Sequence, residues 1–68
     1  MNTAKALNKR QREAIYLLSI GKGYAEAAEI MGTRKNTITR YVNRAKNATG
    51  CPTTIGLFGY ALRNRIIA

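Results

Sequence analysis

Tyr24-Ala25-Glu26-Ala27-Ala28-Glu29-Ile30-Met31, then Gly32, then Thr33-Arg34-Lys35-Asn36-Thr37-Ile38-Thr39-Arg40-Tyr41-Val42-Asn43-Arg44-Ala45-Lys46-Asn47-Ala48-Thr49, closed by Gly50, has the pattern of two helices joined by a glycine turn. In its first block Tyr24, Ala27, Ala28 and Met31 recur at i, i+3, i+4 and i+7, the spacing of one buried helical stripe. The paired alanines let a second helix approach closely. Gly32 supplies permissive backbone for a tight turn after about two helical turns. The next helix starts near Thr33 to Lys35 and ends before Gly50. At about 100° per residue it gathers Ile38, Val42 and Ala45 on one side, with Tyr41 at the edge and Thr49 continuing the stripe. Its other side collects Asn36, Arg40, Asn43 and Asn47, flanked by Thr39 and Arg44. Asparagine is a poor helix former, so local propensity gives no reason for three of them on one exposed face. A binding role gives one.

Outward from this pair, Gly21-Lys22-Gly23 and Gly50-Cys51-Pro52 mark off two further helices. The earlier one is expected over about Asn8 to Ile20, with Asn8 as cap and Leu7 in the place of a staple residue. Ala14, Ile15 and Leu18 share its inner face with Leu17 beside them, while Lys9, Arg10, Arg12 and Glu13 stay outside. The last helix is expected over about Thr53 to Arg65, with Pro52 suiting a helix start. There Ile55, Phe58, Leu62 and Ile66 form the expected core stripe, and Leu57, Tyr60 and Ala61 lie on the far side. That second apolar face suggests a second partner. No alternation of period two appears, so the expected fold is all-α: one four-helix helix-turn-helix domain over residues 1–68, with residues 1–6 as a flexible arm.

Composition narrows the function. Sixty-eight residues carry twelve Lys+Arg against three Asp+Glu, with no His and one Cys, for a formal net charge of +9. A chain of this size buries roughly 60% of its unfolded surface and has little room for a deep catalytic cleft. Without His, and with three carboxylates, general acid–base pairs and nitrogen-rich metal sites lack members, so no enzyme activity, cofactor or metal is expected. Cys51 has no partner for an internal disulfide and is read as a small packed hydrophobe. Apolar runs fall far short of the ~18 residues of a membrane span, and no signal-type block follows the first twelve residues, so a cytoplasmic chain is expected. The positive charge points to an anionic partner, nucleic acid first.

A short helix, a glycine turn and a helix with a polar, basic outer face form the pattern in which the second helix enters the major groove of double-stranded DNA. Asn can pair bidentately with adenine and Arg with guanine, so Asn36, Arg40, Asn43 and Asn47 are base-reading candidates. Arg34, Lys35 and Thr37 in the first turn are placed for phosphate oxygens, and Lys22, Arg44 and Lys46 are further phosphate candidates.

Several segments resemble the GerE/LuxR-type helix-turn-helix family, ungapped over nearly the whole chain. Leu7-Asn8-Lys9-Arg10-Gln11-Arg12-Glu13 is similar to that family's opening "LTxREREV", and Leu17-Leu18 with Gly21 to its "LLaxG". Glu26, Ala28, Met31 and Gly32 resemble "kEIAxxLg", Thr37-Ile38 the "TV" of the recognition helix, and Ala48-Thr49-Gly50-Cys51 its "kLgv". The resemblance implies a standalone transcription regulator in which Thr39, Arg40 and Asn43 face bases. It also implies a homodimer through the fourth helix, where Leu57, Tyr60, Ala61 and Asn64 are the expected contact residues. The sequence departs from the family at Arg34, where a serine cap is usual, at Tyr41 in place of histidine, and at Pro52-Thr53-Thr54.

Other readings stand beside this one. The polar face of the third helix is also what a solvated helix looks like. A small domain without a sensor half suits a protein-interaction module that pairs with a full-length GerE/LuxR-type regulator, and RNA polymerase is a further candidate partner. A cationic membrane-active peptide is the third reading, against which the ordered glycine turns and small inter-helix residues argue.

Overall fold

Asn8 opens the first helix of the computed structural model, which describes residues 7–65. Its Oδ1 accepts from the Gln11 N–H at 2.8 Å, and Gln11 Oε1 accepts from the Asn8 N–H at 2.9 Å. This reciprocal box satisfies two amides that a helix start leaves without partners. It also explains why Gln11 is the one polar side chain buried among the described residues. Helix α1 (Lys9–Ser19) turns Ala14, Ile15, Leu17 and Leu18 inward, and Leu7, just ahead of the cap, is buried with them.

Helix α2 (Tyr24–Met31) has the expected bounds and buries Ala27, Ala28 and Met31. It ends at Gly32, whose φ of 66° lies in the left-handed region. Gly32 N–H donates to the Glu29 carbonyl at 3.2 Å and Thr33 N–H to the Ala28 carbonyl at 2.8 Å. These paired bonds close the helix end in a Schellman turn. A Cβ built on Gly32 would touch nothing within 4 Å, so the demand for glycine comes from the backbone angle and not from crowding.

Helix α3 (Lys35–Thr49) is the centre of the packing, lying against α1, α2 and α4. Ile38, Val42 and Ala45 form its inner stripe at 0 to 2% exposure, as the periodicity predicts. Arg34 occupies its N-cap position in extended backbone, and no side chain caps its first amides. Tyr41 lies partly buried at the edge of the core as expected and Cys51 packs against it, while Tyr24 and Phe58, expected within buried stripes, are only partly buried.

Helix α4 (Thr54–Arg63) corrects the sequence reading. Leu57 and Ala61, expected on the outer face, are completely buried, while Ile55 and Leu62, expected in the core, are 83% and 54% exposed. Phe58 is half-buried, and Ile66 lies outside the described residues, as do residues 1–6 assigned to an arm. The linker sets where the helix starts. Gly50 turns the chain in left-handed backbone, and Thr53 Oγ1 caps the new helix by accepting from the Gly56 N–H at 3.0 Å. The helix therefore begins one residue later than expected, with Thr53 as its cap and Pro52 just ahead of it. Both faces of α4 are apolar, so hydropathy does not choose its azimuth; its packing against α3 does. Small Ala61 is then completely buried on the side of α4 turned to the core.

Candidate nucleic-acid interface

The inner stripe of α3 fixes what its other side presents. Because Ile38, Val42 and Ala45 are held in the core, Asn36, Thr39, Arg40, Asn43 and Asn47 project to the outside, and all five are exposed. No other part of the described fold covers them. Thr39 Oγ1 donates to the Lys35 carbonyl one turn earlier at 3.3 Å, which steers its methyl and remaining lone pairs outward. Among the described residues, the amides of Asn36, Asn43 and Asn47 and the guanidinium of Arg40 make no hydrogen bond or ion pair within the chain. This face therefore keeps its donors and acceptors available to a ligand. A helix of 15 residues is about 22 Å long, and its width suits a groove roughly 12 Å across.

At the start of α3, Arg34 and Lys35 are exposed and Thr37 is half-buried. Uncapped first-turn amides and two cations converge there, the arrangement that attracts a phosphate oxygen. Arg44 is exposed and Lys46 half-buried on the flanks of the same helix. Lys22 is different. It lies in the α1–α2 turn, and its Nζ is 3.8 Å from Glu26 Oε2, so part of its charge is already answered within the chain.

Charge is divided unevenly along the fold. All three side-chain carboxylates, Glu13, Glu26 and Glu29, precede Gly32, and seven of the twelve cations follow it. Helices α3 and α4 thus carry basic side chains with no acidic ones between them.

Arg10 is a residue that sequence reading placed on the outside without a role. Its Nη2 donates to the Met31 carbonyl at 3.0 Å, joining the first turn of α1 to the last carbonyl of α2, beside the turn that aims α3. Glu13 holds the same guanidinium from one turn on, with Nη1–Oε2 at 3.6 Å. The contact spans 21 positions, and no local periodicity announces it.

The expected dimer contacts fare unevenly. Leu57 and Ala61 are consumed by the chain's own core and have no surface to offer a second copy. Tyr60 is half-buried, and Asn64 is exposed with its Nδ2 donating to the Tyr60 carbonyl at 2.8 Å, closing the end of α4. Among the described residues, no helix is long and apolar enough to cross a membrane.

Among known families, the one described as "Sigma-70, region 4" matches residues 2–48, a span that holds α1, α2 and nearly all of α3. Nothing among curated proteins or solved structures matches the chain.

Proposed function

This chain belongs to the sigma-70 region 4 family through residues 2–48, a helix-turn-helix, DNA-binding kind of domain that works in transcription, and from that premise we propose that it is a sequence-specific regulator which reads double-stranded DNA with α3. The observation that carries the reading is the exposed, uncommitted face of Asn36, Thr39, Arg40, Asn43 and Asn47. Laid in the major groove, Arg40 meets guanine and the asparagines meet adenine, while Arg34, Lys35, Thr37, Arg44, Lys46 and, more weakly, Lys22 hold phosphates. A cytoplasmic location and contact with RNA polymerase belong to the same reading.

Selection of bound duplexes from a random pool tests it. An enriched motif is the expected result, and recovery of unrelated sequences refutes base reading. On the selected site, Arg40→Ala costs about 1–3 kcal/mol and relaxes preference at one position, whereas Lys35→Ala weakens selected and random duplexes alike. Equal loss on both duplexes for Arg40→Ala overturns its assignment to a base. The symmetry of the motif also tests the homodimer implied by the GerE/LuxR-type likeness, since two copies would select an inverted repeat.

A second reading, a protein-interaction module, is favoured by one observation. Ile55 and Leu62 stand exposed on α4, outside the matched residues. It is compatible with DNA binding, because the base-reading candidates of α3 and these side chains of α4 are different residues.

A further inference from the structure

Helix α4 has an apolar stripe that its own core uses only in part, through Phe58. Ile55, Phe58 and Leu62 follow one another at i, i+3 and i+7, the first and last 83% and 54% exposed and Phe58 half-buried between them. Gly59 lies on the turn between Ile55 and Leu62 and leaves the helix backbone bare. Arg63 folds back over it: a Cβ added at Gly59 would come within 3.3 Å of Arg63 Nη1. The stripe therefore has a guanidinium lying across its middle, with exposed aliphatic side chains to either side.

Charge decides what can cover such a surface. Everything after Gly32 is free of side-chain carboxylates, and Arg65 follows Arg63 at the end of α4. A second copy would have to lay this basic half against itself. Packed in parallel, Arg63 meets Arg63. Packed antiparallel, Arg63 meets the positive end of the facing helix. An occupant that brings negative charge gains where a second copy loses.

We infer that this face of α4 is a docking surface for an acidic amphipathic helix of another protein, which sets its aliphatic side chains on Ile55, Phe58 and Leu62 and a carboxylate on the Arg63 guanidinium. The surface lies on residues outside the matched span 2–48 and shares no side chain with the polar face of α3.

The full chain, 15N-labelled, is titrated at near-physiological salt with a short synthetic peptide carrying Leu at i, i+3 and i+7 and Glu on the flanking positions. A second peptide with Lys in place of every Glu is the control. Amide shifts confined to α4, no binding of the Lys peptide, and at least roughly tenfold weaker binding by Leu62→Ser and by Arg63→Glu are expected. Leu62 is half-exposed, so Leu62→Ser keeps its helix content and its affinity for duplex DNA, which separates failure here from failure of the DNA reading. Shifts on α3 instead of α4, equal binding of the two peptides, or self-association in sedimentation that Leu62→Ser abolishes would each overturn the assignment, the last in favour of a second copy.

Discussion

Arg10 sits in the first turn of α1 and ends on the carbonyl of Met31, the last residue of α2. A helix leaves its final carbonyls without internal partners, and a guanidinium makes a charge-assisted bond to one of them. Arg10→Ala is expected to lower stability by about 1 kcal/mol, toward the low end for a charged hydrogen bond because the group is partly exposed, and a urea midpoint measures it. Arg10→Lys restores less than wild type, since a single ammonium does not reproduce the planar fork that meets both Met31 and Glu13. An unchanged midpoint in both variants would show that the brace is idle. At this scale much was legible in advance. Asn8 reads as a cap because its side chain can reach back to its own first turn, and Gly32 reads as a turn because it follows a stripe that stops. Local bonds leave local signals; the partner of Arg10 is 21 residues away and leaves none.

The four helices divide according to how many faces they have to choose from. In α3 one side is apolar and the other is asparagine and arginine, so periodicity alone assigned Ile38, Val42 and Ala45 inward and the base-reading candidates outward. Helix α4 has apolar residues most of the way round, and hydropathy placed the wrong stripe inside. Its two internal glycines offer a test of the packing. At Gly59 a methyl group meets only the movable end of Arg63, so Gly59→Ala is expected to raise stability by about 0.5–1 kcal/mol through the lost backbone entropy. At Gly56 the same methyl comes within 3.0 Å of Thr53 Oγ1, the atom that caps the helix, so Gly56→Ala gains less or loses outright. Thermal melts of the two variants rank them, and the reverse order would mean that Thr53 is not the cap that starts α4.

Across the whole molecule the net charge of +9 acts as a field with a direction, because every carboxylate side chain lies before Gly32. Association with duplex DNA is expected to weaken steeply with salt. If four cations neutralise phosphates, the logarithm of the association constant falls against the logarithm of salt with a slope of about −4, and Lys35→Ala makes it shallower by about 1. Fluorescence anisotropy over a salt series measures both, and a slope near zero would remove the phosphate contacts from the account. The division between chain and fold follows from range. Number and order of helices, three glycine stops, the buried side of α3 and the sign of the field are properties of neighbouring residues, and adjacency in the chain was enough to determine them. Which side of α4 is buried, and which carbonyl Arg10 reaches, depend on the direction in which one helix leaves a turn relative to another. That direction is set by packing between segments far apart in the chain, where two apolar faces of similar strength compete and the geometry of closure, not hydropathy, picks the one that goes inside.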